Sequence, residues 1–280
     1  NAQCIPCLHC DASLGHRDRM RKLALTILLN LLAAAPLAQA DVVTRIPTND
    51  RVVALTFDAC EAGEPMAFDR GVLDYLMKRR LPFTIFASGK FVETNLADVQ
   101  ALAKFDFVDI ENHSWNAPNT RNDFSPEAVL GQVGRAHEAI SSATGRSPQF
   151  FRFPAGNYNE AGRRAVENLG YQVVHWRWPT GDPDPSESAS DLLETVTTNV
   201  APGDILIFHI NGRGVHTAEA LPRIVEQLEA DGYRFARISD YIGSPRSRDA
   251  LAPLKTASIR NKFNQWLERA PLVALSRALD

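Results

Sequence analysis

Four side chains that can carry a proton or a charge stand at the ends of short apolar runs. Asp58 follows Val52–Phe57, His113 follows the run Phe107–Ile110 and Glu111-Asn112, Arg152 lies within Gln149–Phe153, and His209 follows Ile205–Phe208. A charge at the end of a buried strand is costly to desolvate unless it is paired or used. An aspartate beside an arginine stays ionised, and a histidine exchanges protons near neutral pH. The set supplies a base, a cation that tunes it and an acid, which is what hydrolysis requires. Each residue also has a plainer role available: a helix cap for Asp58, satisfied core positions for the histidines, a structural ion pair for Arg152. Their shared position at strand ends favours the chemical reading.

The elements that must position these residues alternate between two periods. Phe68, Val72 and Leu76, with Leu73 and Met77, give a helical stripe after the first strand, and Phe83 to Phe86 reads as the second strand. Asn95 to Phe105 is predicted as a helix, and Phe107 to Ile110 as the third strand. Ser125-Pro126 starts a helix carried by Val129, Val133, Ala136 and Ile140 as far as Gly145. Gln149–Phe153 is the fourth strand, Asn159–Leu169 a helix and Tyr171–Trp176 the fifth strand. After the polar loop Pro179–Ser190, Ser190 is the expected cap of a helix bearing Leu192, Leu193, Val196 and Val200. Ile205–Phe208 is the sixth strand, Leu221, Ile224 and Leu228 mark a helix stopped by Gly232, and Tyr233–Ile238 is the last strand. Repeated strand–helix alternation implies an α/β fold with a parallel sheet. A β/α barrel is its simplest closure and an open doubly wound sheet the alternative. In a barrel the C-terminal strand ends converge on one face, where active sites are built. No G-x-G-x-x-G follows the first strand, which argues against a dinucleotide site.

The 280 residues, 45% hydrophobic, suffice for one large domain with a proper core. The formal charge of −3 and the lack of a basic block give no reason to expect nucleic acid as a partner. Residues 20–40 have the three parts of a secretory signal peptide: Met20-Arg21-Lys22, the apolar Leu23–Ala35, and the cleavage site Ala38-Gln39-Ala40. A membrane span is disfavoured because Asn30, Pro36 and Gln39 interrupt the stretch. Residues 1–19 are then expected to be upstream translated sequence, their Cys4, Cys7 and Cys10 notwithstanding. The mature chain would begin at Asp41, with formal charge 26 − 31 = −5 after removal of four basic and two acidic residues from 30 and 33. It would be exported, to the periplasm or outside the cell, and would keep one cysteine, Cys60, with no internal disulfide to support it. Residues 41–243 form the expected barrel domain. Residues 244–280 are read as a linker and an amphipathic helix with Ile259, Phe263, Trp266 and Leu267 on one stripe, docked on the barrel.

From Val52 to Ile242 the chain resembles the NodB-like polysaccharide deacetylases, carbohydrate esterase family four. Thr56-Phe57-Asp58 is similar to the start of the family motif T-F-D-D, His113-Ser114 to that of H-[ST]-x-x-H, Arg152-Phe153-Pro154-Ala155-Gly156 to R-x-P-x-G, and Ile207-Phe208-His209 to the last motif. The resemblance implies a deformed (β/α)7 barrel that removes acetyl groups from N-acetylglucosamine units or acetyl esters from xylan. It also implies that Asp58 is the general base, Arg152 its tuning partner and His209 the general acid. The partner would be an acetylated polysaccharide or oligosaccharide. Trp115, Tyr158 and Trp178 lie beside the motif residues and could stack on sugar rings.

The family's cofactor is a zinc-type divalent metal, and here the chain departs from the pattern. The second aspartate of T-F-D-D is Ala59 and the second histidine of the next motif is Ala117, which leaves His113 as the surviving ligand. The fourth motif places its first aspartate on Pro179, its second on Asp182 and its tryptophan on Pro183, and Asp182 is carried over as a substrate-binding residue. A catalytic zinc usually takes three protein ligands, and Cys60, Glu61, Glu111 and Asn119 are the nearby substitutes. On an extended strand Cys60 shares the side of Asp58, opposite Ala59. Three functions remain in view: a hydrolase using Asp58 and His209, a pseudoenzyme that binds acetylated glycan, and a thiol enzyme pairing Cys60 with His113.

Overall fold

In the computed structural model, residues 42–61, 66–116 and 125–243 are described. The upstream segment, the signal peptide, Ala117, Asn119 and the C-terminal linker and helix expected from the sequence lie outside the described residues. The fold is built on β1 (Val52–Ala59), whose eight residues are all buried. That is why it reads as one apolar run: both faces of a central parallel strand are covered. Its Phe57 stacks on Phe208 and meets Phe83 edge-on, both at 5.9 Å between ring centroids. Full burial of such a side chain contributes about 1.5–3 kcal/mol.

The strands β2 (Phe83–Ala87), β3 (Val108–Asn112), β4 (Phe150–Phe151), β5 (Gln172–Val173), β6 (Ile205–His209) and β7 (Arg234–Ala236) join β1 in a parallel sheet of order β5-β4-β3-β2-β1-β6, with β7 against the start of β1. Neighbours in space follow neighbours in sequence from β1 to β5, so the sheet curls as a barrel and is not doubly wound. β5 and β6 do not pair with each other. The chain before β1 crosses between them: Val43 bridges Val174, Arg45 bridges Asp204, and the Ile46 amide donates to the Gly203 carbonyl at 2.8 Å. The result is the deformed (β/α)7 architecture.

The connecting helices are α1 (Arg70–Arg79), α2 (Gly89–Thr94), α3 (Leu96–Leu102), α4 (Pro126–Thr144), α5 (Glu160–Asn168), α6 (Ala189–Asn199) and α7 (Thr217–Ala230). Several sequence expectations change in detail. The helix expected over Asn95–Phe105 spans Leu96–Leu102 and is preceded by an unexpected one, Gly89–Thr94, which Ser88 caps by accepting from the Phe91 amide and Asn95 closes by donating to the Phe91 carbonyl. α6 is capped by Ser188, not Ser190, through a capping box with Asp191. β4 and β5 are short: Pro154 ends the first, and beyond β5 the His175 amide donates to Val43 of the crossing segment. β1 runs two residues further than expected, so Asp58 lies within the strand and pairs in register with His209 of β6.

Candidate active site

In a parallel ladder, residues in register point to the same face. The Asp58–His209 register therefore sets the two side chains next to each other. Phe86 of β2 is in register with Asp58 on the other side. Over that ring, 4.0 Å from its centroid, lies the guanidinium of Arg152, which has no exposed surface. Arg152 Nη1 donates to Asp58 Oδ1 at 2.8 Å, and the Arg152 carbonyl accepts from His113 Nδ1 at 2.9 Å. That bond puts a proton on His113 Nδ1, and Nε2 lies 3.5 Å from Asp58 Oδ2. Burial alone would raise the Asp58 carboxyl, but the charges on His113, Arg152 and His209 outweigh it and hold the group below the usual carboxylate range. Burial pushes His113 down, against the pull of Asp58. The cluster thus keeps an ionised carboxylate in a nearly dry position, as a general base requires.

His209 is supported differently. Its Nδ1 faces Asp182 Oδ1 at 2.9 Å and its backbone amide donates to Asp182 Oδ2 at 2.6 Å. Thr217 Oγ1 donates to the same Oδ2 at 2.8 Å. A carboxylate on Nδ1–H fixes the tautomer and leaves Nε2 as the working atom. Gly214 permits this packing, since a Cβ there would lie 2.5 Å from Asp182 Oδ2. Two non-glycine residues with left-handed backbone, Ser114 (φ 70°) and Ala155 (φ 53°), adjoin His113 and follow Pro154. Such conformations cost on the order of 1–3 kcal/mol and collect at functional sites.

Asp58, His113 and His209 open onto one groove of about 640 Å³, within the range of small-molecule sites. Arg152 stands behind Asp58 and does not line it. Of the expected sugar-binding residues, Trp115 is buried and lies under Arg135, 3.7 Å from the ring centroid. Trp178 packs on the core and donates to Asp204. Tyr158 is exposed beside the motif and stacks on Phe153 and His175, outside the groove lining. Among the described lining residues the aromatic is Trp176, which the sequence pattern marks only as the end of a strand. Asp182 touches the groove, and both its oxygens are engaged, one by the His209 ring and the other by the His209 amide and Thr217.

The described residues do not fit a zinc-type metal centre. Ala59 is packed in the apolar core while Asp58 and Cys60 face the groove, as strand alternation requires. Of the nearby substitutes, Glu111 Oε2 accepts from the Gln149 and Phe150 amides, and Glu61 Oε1 accepts from Thr94. Among the described residues no three His, Cys, Asp or Glu side chains are grouped to hold a metal ion. The thiol reading fares no better: burial pushes the Cys60 thiol up, which disfavours the thiolate.

Residues 45–174 match the polysaccharide deacetylase family model. That segment is a polysaccharide deacetylase domain. Across 202 residues, 70% of this chain and 91% of the relative, the sequence is 29% identical to a peptidoglycan-N-acetylglucosamine deacetylase of Bacillus cereus. It is 27% identical to a peptidoglycan-N-acetylmuramic acid deacetylase of Bacillus subtilis over 199 residues, covering 69% of this chain and 72% of that one. Among solved structures, a family pseudoenzyme from Bacillus anthracis superposes with a TM-score of 0.64 at 22% identity, covering 72% of this chain and 69% of that one. The last likeness establishes the shared fold.

Proposed function

We propose that this protein is an exported hydrolase that removes acetyl groups from N-acetylglucosamine-containing polysaccharide by acid–base catalysis. The observation that carries the reading is the adjacency of Asp58 and His209 on paired strands, each with its own buried support. Asp58 takes a proton from a water molecule as its oxygen bonds to the acetyl carbon. The carbonyl electrons move onto oxygen and return as the C–N bond breaks. The imidazolium of His209 gives its proton to the departing nitrogen, so the products are acetate and a free amine. The B. cereus relative supports N-acetylglucosamine as the sugar, and both Bacillus relatives, peptidoglycan deacetylases by name, support export with residues 20–40 as the signal peptide.

One observation favours a second reading. With Ala59 in the core and no grouped metal donors among the described residues, the same groove could hold an acetylated glycan without cleaving it. Incubation of the purified protein with N-acetylglucosamine oligomers and with peptidoglycan decides between them. Acetate and free amine released in equal amounts support the hydrolase, and saturable sugar binding with no acetate supports the binding protein.

A further inference from the structure

Hydrolysis of an acetamide puts negative charge on the carbonyl oxygen, and a catalyst must meet that charge with a donor or a cation. With the metal positions lost, the groove needs another source. Among its described lining residues there is one side chain that is always cationic, Arg213. It belongs to the loop between β6 and α7, and that loop is tied to both halves of the site. The Ile210 amide donates to the Asp58 carbonyl at 3.2 Å, Asn211 Nδ2 donates to the Cys60 carbonyl, and the Val215 amide donates to the Asp182 carbonyl at 3.1 Å. Asn211 is buried, so the anchor is a fixed one. Arg213 Nη1 reaches Cys60 Sγ at 3.5 Å, on the groove side of β1 two residues from the base. Among the described residues, no carboxylate lies within ion-pair distance of it. Its guanidinium carries five donors in a planar fork, and a weak thiol contact leaves most of them available.

We infer that Arg213 is the groove's oxyanion-binding residue, receiving the acetyl oxygen in the reaction and the carboxylate of acetate afterwards. The inference rests on the deacetylase reading for its role in turnover, and on geometry alone for its role in binding. The residue sits on an exposed part of the loop, so Arg213→Ala leaves the core untouched.

Two measurements test it, one of which needs no activity. Carbon-labelled acetate is titrated into the wild type, Arg213→Ala, Arg213→Lys and, as a control on a remote surface arginine, Arg223→Ala, and followed by NMR. The dissociation constant should rise at least tenfold in Arg213→Ala, partly recover in Arg213→Lys and stay at the wild-type value in Arg223→Ala. Where the wild type turns over, kcat of Arg213→Ala should fall by about 10²–10³ with KM little changed. Wild-type acetate affinity in Arg213→Ala, or no acetate binding by the wild type, overturns the proposal, as does undiminished kcat in that variant. A wild type that binds acetate through Arg213 but releases none defeats the hydrolase reading and leaves the anion site standing.

Discussion

The two residues proposed to transfer protons lie side by side, but the protein supports them in opposite ways. Asp58 is held by charge: a fully buried guanidinium on one oxygen and an imidazole facing the other, stacked against Phe86 in the sheet interior. His209, with 12% of its side chain exposed, is held by geometry, through Asp182 on its Nδ1 and Thr217 behind that. The first arrangement fixes a charge state and the second fixes a tautomer and a direction. It follows that the Asp58 half is bound up with folding stability, while the His209 half can be altered at little structural expense. Of the positions that would bind a metal, His113 belongs to the Asp58 half, while Ala59 has joined the core and its side chain supports neither half.

The largest expected effect is on the base. Asp58→Asn should lower acetate release by about 10²–10⁴-fold, measured by steady-state kinetics on N-acetylglucosamine oligomers. Breaking its partner should be felt mainly in stability. Arg152→Met leaves the Asp58 carboxylate buried without its cation and should destabilise by about 3–5 kcal/mol, measured by urea unfolding. The matching change in the other half, His209→Ala, should abolish turnover to the same degree as Asp58→Asn yet move the unfolding midpoint little. Equal destabilisation by the two changes would break the contrast between the halves.

Asp182→Asn should sharpen it. The His209 ring loses the carboxylate that orients it, so kcat should fall about 10–100-fold with KM nearly constant, as is typical when an outer supporting residue is removed. A change in KM with kcat intact would return Asp182 to the role of sugar ligand.

The smallest effect concerns pH. His175 packs against Phe153 and Tyr158, and burial first, then the charge on Arg152, pushes it down to about 3. The unfolded chain therefore takes up this proton before the folded one does. Its contribution to stability is complete above the unfolded value of about 6.5 and is lost as pH falls from there toward 3. His175→Phe keeps a ring in the stack and should flatten the loss of stability between pH 6 and 4 relative to wild type, read from unfolding midpoints across that range.

Much of this site was legible from residue types alone, because a polar group that ends a buried apolar run has few structural uses. Asp58, His113, Arg152 and His209 come together as the strand pattern implied. The alternation of a strand also placed Cys60 beside Asp58 and Ala59 away from the groove. What stayed hidden depends on contacts between segments distant in sequence. Nothing local shows that Asp182 reaches across to His209 or that Asn211 pins the Arg213 loop to Cys60. The aromatic residues misled for a related reason: Trp115 and Trp178 adjoin the motifs in sequence, but their size draws them into the packing, while Trp176 forms the wall. The closing of the sheet by residues 43–46 was equally hidden, since so short a stretch carries no periodic pattern.

The central claim is that Asp58 and His209 act as a pair. The most direct measurement is the rate of acetate release by Asp58→Asn, His209→Ala and the double variant beside a verified wild-type rate, with and without a chelator. Residues acting as one unit are non-additive. The double variant should be no slower than the slower single variant, and the wild-type rate should survive the chelator. Single variants at the wild-type rate, or losses that multiply in the double variant, would contradict the pair. A wild-type rate abolished by chelation and restored by one equivalent of zinc would contradict the reading of the metal positions.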